Sequence, residues 1–118
     1  MSESIHILLV DDEEAQRYSM CRLLEQAGYR VTSVPDFREA LKVLNSSERC
    51  DLMITDLVMP DRVNGFALAR MARMRRPKLK VLYITGFDVP SDEADGKVLR
   101  RPVPDQAFMD EVKLALAA

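Results

Sequence analysis

At 118 residues the chain has room for one domain around one core. Hydrophobic residues make up 47% and charged residues 31%, with a formal net charge of −2, which excludes a uniformly basic, nucleic-acid-binding surface. No apolar run reaches membrane-spanning length and no signal-peptide pattern opens the chain, so a cytoplasmic location is expected.

The first predicted element is "IHILLV" (Ile5 to Val10), a nearly continuous apolar run of the kind a strand buried on both faces requires. It runs straight into Asp11, Asp12, Glu13 and Glu14. A helix follows, with Ala15, Leu23, Leu24 and Ala27 on one stripe and Gly28 placed to close it in a left-handed cap. "YRVTSV" (Tyr29 to Val34) alternates with period two and is β-branched, hence a strand. Asp36 then caps a second helix, with Glu39 three residues on. Ala40, Leu41, Val43 and Leu44 form its inner face, and Asn45-Ser46-Ser47 ends it.

"DLMIT" (Asp51 to Thr55) is a third strand and "FALARMARMRR" a third helix, with Phe66, Leu68, Ala69 and Ala72 inward and Pro77 as its stop. The basic run "ARMARMRRPKLK" reads as a solvated face, and Met71 and Met74 as packing residues. "KVLYIT" (Lys80 to Thr85) is a fourth strand and "KVLR" (Lys97 to Arg100) a brief fifth. Phe108, Val112, Ala115 and Leu116 mark an amphipathic final helix from Asp105. Cys21 and Cys50 lack metal-ligand spacing and read as reduced core thiols. His6, the only histidine, lies inside the first strand and reads as structural.

Strands alternating with helices predict an α/β fold: a doubly wound parallel sheet with helices on both faces. Chemistry in such sheets collects beyond the carboxyl ends of the strands, near the switch in strand order. Asp11 and Asp12 follow the first strand, Asp56 the third, Thr85 ends the fourth and Arg101-Pro102 follows the fifth. Clustered carboxylates at a sheet edge suit a hard divalent cation such as Mg²⁺. The plainer alternative, acids at the positive end of the first helix, accounts for Glu13 and Glu14 but not for Asp56 or Thr85.

The pieces "ILLVDDE", "DLMITDLVMPDRVNGFALAR", "KVLYITG" and "RRPV", in order and each at a strand end, resemble the receiver domain of two-component response regulators. The resemblance covers the chain from Ile5 to about Leu116, so residues 1–118 are expected to form one receiver domain. It implies a flavodoxin-like five-stranded parallel sheet of order 2-1-3-4-5. It also implies that Asp56 is the phosphoacceptor. Asp12, Asp56 and the backbone carbonyl of Val58 would hold Mg²⁺, with Asp11 acting mainly through water. Thr85 would hydrogen-bond a phosphoryl oxygen, Arg101 would supply the cation, and Met59-Pro60 and Gly65 would shape the loop after the acceptor. The Arg101-Pro102 bond would be cis.

Three features depart from the family pattern. Arg101 stands where lysine is usual, exchanging a compact point charge for a planar fork. Val98 stands where a mobile Tyr or Phe is common, leaving Tyr83 or Phe87 as substitutes. The segment from Gly86 to Gly96 is short by about six residues, more than one helical turn, so the fourth helix is expected to be short or missing.

The resemblance implies a phosphorylatable switch rather than a classical enzyme, one that accepts a phosphoryl group from a histidine kinase or histidine phosphotransfer protein. No DNA-binding domain and no membrane attachment are expected, and output is expected through protein contacts because the last helix runs to the chain end. The alternative is a pseudo-receiver, a phosphorylation-independent interaction module, which Arg101 and Val98 favour. A Mg²⁺-dependent phosphohydrolase would want a second carboxylate close after Asp56. Asp61 lies beyond Met59-Pro60, and a substrate-capping domain is missing.

Overall fold

The computed structural model describes residues 4–59, 64–87 and 96–118. Five strands are present: β1 (His6–Val10), β2 (Arg30–Val34), β3 (Leu52–Asp56), β4 (Lys80–Thr85) and β5 (Lys97–Arg100). Among the described residues four helices join them: α1 (Glu14–Gln26), α2 (Phe37–Asn45), α3 (Gly65–Arg75) and α4 (Asp105–Ala117). The strands form one parallel sheet in the order β2-β1-β3-β4-β5, as expected. The expected short or missing fourth helix falls on residues 88–95, outside the described residues, as do Pro60 and Asp61.

The period-two alternation of each strand sorts its side chains onto two faces. In β1, Ile7 and Leu9 enter the core beneath α1 and α4, with Leu24, Phe108 and Val112. Leu8 and Val10 enter the opposite core with Ala40, Leu44, Leu68 and Ala72 of α2 and α3. Both faces being covered explains why β1, β3 and most of β4 carry near-continuous apolar runs. β2 and β5 are the sheet edges and are more polar.

Several local signals act as expected. Asp36 Oδ1 accepts the Glu39 N–H at 2.9 Å and caps α2. Asn64, not among the expected caps, also caps α3, its Oδ1 accepting the Ala67 N–H at 2.8 Å. Gly28 takes φ +94° after α1. His6 is buried, with Nδ1 against the Arg49 carbonyl and Nε2 against Thr32 Oγ1, a structural role. Cys21 and Cys50 are free thiols.

Other expectations need correction. Ala15 and Ala27 are exposed, so α1 packs mainly through Leu24, which is fully buried, and Leu23. Met74 is 79% exposed and is no packing residue. The basic run is only partly a solvated face. Arg76 donates to the carbonyls of Leu44 and Ser46 at 3.2 and 2.9 Å, and Arg75 Nε donates to Asn45 Oδ1. These guanidinium groups thus cap the negative C-terminal end of α2 from outside. Lys80 does the same for α4, donating to the Leu116 carbonyl at 2.8 Å.

Replacing Asp36 by Ala should cost about 1 kcal/mol by orphaning the Glu39 N–H. Thermal melting should show a drop of several degrees with an unchanged circular-dichroism spectrum.

Candidate functional site

β1 leads by its crossovers to β2 on one side of it, while β3 lies on the other, so the strand order switches between β1 and β3. A crevice beyond the carboxyl ends of the strands is expected at that switch. Asp11 follows β1 and Asp56 is the last residue of β3, so neighbouring strands deliver the two carboxylates to one place. Backbone bonds continue the pairing past the strand ends and fix these positions: Asp11 N–H to the Val34 carbonyl at 3.2 Å, Leu57 N–H to Ile84 at 2.9 Å, and Arg101 N–H to Thr85 at 2.8 Å.

Asp11 is fully buried and Asp56 nearly so, whereas Asp12 is exposed. Asp11, Asp12 and Asp56 each offer a carboxylate oxygen within 4.8 Å of the others. That all-oxygen, anionic set has the chemistry of a hard divalent cation site. The carbonyl of Val58, expected as a further ligand, sits two residues beyond Asp56 on the same loop.

The acids are held by specific donors. Asp11 Oδ1 accepts the Glu13 N–H at 2.8 Å, and Asp11 Oδ2 accepts from Arg101 Nη2 at 2.8 Å. Arg101 Nη1 lies 3.6 Å from Asp56 Oδ2, while Asp56 Oδ1 accepts the Val58 N–H at 3.1 Å. The Arg101 guanidinium therefore spans both buried carboxylates. Burial pushes the Asp11 pKa above its ordinary 3.8, and the neighbouring Asp56 and Asp12 charges push the same way, against the Glu13 N–H and Arg101.

The other expected residues converge here. Thr85 is buried at the end of β4, and its Oγ1 accepts the Phe87 N–H at 3.1 Å. The Arg101-Pro102 bond is cis. Gly65 opens α3, where an added Cβ would stand 2.6 Å from the Asp56 carbonyl oxygen, so only glycine fits. Arg100 is exposed and Arg101 half-buried, in keeping with strand alternation.

Arg17 and Thr55 were not expected at the site. Arg17 Nη1 donates to the Asp11 carbonyl at 2.7 Å from the first turns of α1. Thr55 Oγ1 donates to the Asp56 carbonyl at 3.0 Å. The only sequence signal for Arg17 is a cation on a turn otherwise rich in acids.

Of the two aromatic substitutes for Val98, Tyr83 is fully buried. It stands opposite Val98 in the β4–β5 register, its ring edge-on to Phe66 at 4.9 Å. Val98 is packed against the same core. Phe87 is 61% exposed.

Residues 7–99 match the family described as response regulator receiver domain. The response regulator receiver protein CpdR of Brucella abortus (strain 2308) is 36% identical over 118 residues, covering 95% of this chain and 97% of that protein. The sensor kinase CckA of the same organism is 33% identical over 88 residues, 74% of this chain but 9% of that much longer protein. Among solved structures, a CheY-like response regulator receiver domain protein from Methanospirillum hungatei JF-1 superimposes with a TM-score of 0.89 at 26% identity, covering 98% of this chain and 95% of that one.

Gly65→Ala should cost about 1–3 kcal/mol through overpacking against the Asp56 carbonyl, read as a lowered Tm. The raised Asp11 pKa means that its ionised form is disfavoured by folding. Its contribution to stability is present below about pH 3.8 and is lost as pH rises through the raised folded value. In chelator-containing buffer, Asp11→Asn should therefore melt higher than the native chain at neutral pH, with the gap closing as the pH is lowered toward 4.

Proposed function

Because this chain belongs to the response regulator receiver domain family, we propose that it is a phosphorylatable switch of a two-component phosphorelay, with Asp56 as the phosphoacceptor and Mg²⁺ as its cofactor. The observation that carries this reading is the convergence of Asp11, Asp12 and Asp56 within 4.8 Å at the switch in strand order. A histidine kinase or histidine phosphotransfer protein is the donor in this reading. A cytoplasmic location fits it, and among the described residues no helix is long and apolar enough to cross a membrane.

Aspartate is a weak nucleophile and the incoming phosphoryl group is anionic, so transfer depends on positioning and charge compensation. Asp12, Asp56 and the Val58 carbonyl would hold Mg²⁺, with Asp11 close behind them. A bound Mg²⁺ would supply positive charge to offset the anionic phosphoryl group and carboxylates. The Val58 N–H holds Asp56 Oδ1, which leaves Oδ2 as the oxygen that attacks. Arg101, already 3.6 Å from that oxygen, is placed to take a phosphoryl oxygen in a charge-assisted bond. The Thr85 hydroxyl takes another. The product is an acyl phosphate, which the domain itself would hydrolyse in time.

The pseudo-receiver reading draws on Arg101 and Val98. Val98 puts no ring on β5, and Tyr83 opposite it is buried with its ring edge-on to Phe66, so this chain has no aromatic at residue 98 to swing inward.

Incubation with a small acyl phosphate donor and Mg²⁺ should add one phosphoryl unit to the intact mass of the native protein and none to Asp56→Asn. No gain in the native protein, with its fold intact, would establish the pseudo-receiver. Thr85→Ala should still be phosphorylated, about five- to tenfold more slowly, because one neutral hydrogen bond to the phosphoryl group, worth about 1 kcal/mol, is lost.

A further inference from the structure

Both oxygens of Asp11 are in use. Oδ1 accepts the Glu13 N–H and Oδ2 accepts from the Arg101 guanidinium, each at 2.8 Å. The second arm of the same guanidinium faces Asp56 Oδ2 at 3.6 Å. Arg101 thus lies across the same carboxylates whose oxygens would ligate a divalent cation. Its backbone cannot retreat easily, since its N–H is bonded to the Thr85 carbonyl at 2.8 Å. Only the side chain can pivot.

We propose, resting on the metal-dependent reading above, that Arg101 is a tethered counter-cation and that Mg²⁺ and the guanidinium exclude one another at the Asp11–Asp56 pair. A guanidinium bonded to Asp11 Oδ2 and facing Asp56 Oδ2 repels a divalent cation arriving at the carboxylates beside it, and Mg²⁺ demands near-ideal octahedral oxygen geometry. The guanidinium must leave the pair before the metal can be closely held. Arginine then sets the metal affinity, and it becomes free for a phosphoryl oxygen only in the metal-loaded state. Lysine would compete less well, because it offers one compact, strongly hydrated ammonium where arginine offers a pre-organised fork across two acids.

The fork and the charge make different predictions. Arg101→Lys keeps the charge and removes the fork. Calorimetric titration of the metal-free protein with MgCl₂ should give at least a fivefold tighter Kd for Arg101→Lys than for the native chain. Arg101→Gln should be tighter still. In the native protein, nuclear magnetic resonance should show the Arg101 side-chain Nε–H signal shifting in step with Mg²⁺ occupancy, a readout that needs no variant to fold. Equal Kd values for native and Arg101→Lys, or an Arg101 signal that stays still while Mg²⁺ binds, would overturn the exclusion and leave the metal-dependent reading standing. Failure of Mg²⁺ to bind the native chain and both folded variants would overturn both.

Discussion

Everything at the functional end of this molecule depends on two carboxylates forced out of water side by side. Asp11 is fully buried and Asp56 nearly so, and both terminate adjacent strands of one sheet. Burial disfavours the Asp11 charge, and the Asp56 and Asp12 charges beside it push the same way, as the raised Asp11 pKa records. The chain offsets this with the Glu13 and Val58 N–H groups and one guanidinium from the far edge strand. Such a site is strained electrostatically by construction. It favours the arrival of positive charge, and in the proposed reading that appetite is what draws in the divalent cation.

The fold exists, in this sense, to hold those charges still. Two apolar layers fix β1 and β3 from both sides, so the strand ends cannot drift. Gly65 brings the start of α3 hard against the Asp56 carbonyl, and Thr55 ties the same carbonyl from within the strand. At the opposite end of the sheet the basic residues Arg75, Arg76 and Lys80 are spent on helix C-termini.

Much of this was legible in the sequence because it is local or periodic. The apolar runs "HILLV" and "DLMIT", the Asp36 cap and the left-handed Gly28 are each decided by a few consecutive residues, and the structure agrees. Strand ends then located Asp11, Asp56, Thr85 and Arg101 together once the sheet order was inferred. What was not legible depends on where long side chains go. Arg76 reaches α2 across 32 residues with no local signal, so the basic run read as solvated. Met74 and the alanines of α1 misled because residue type does not reveal which side of a weakly amphipathic helix is covered. The placement of Arg101 across both acids likewise follows from a flexible side chain finding the strongest field, which no spacing rule encodes.

The central claim is that Asp56, beside Asp11 and Asp12, forms an acceptor site completed by a divalent cation. Fluorine magnetic resonance of the protein with beryllofluoride tests it most directly, since that group mimics an aspartyl phosphate. Bound fluorine signals should appear that require Mg²⁺ and vanish in Asp56→Asn. Bound signals that persist in Asp56→Asn, or none in the native protein at saturating Mg²⁺, would contradict it.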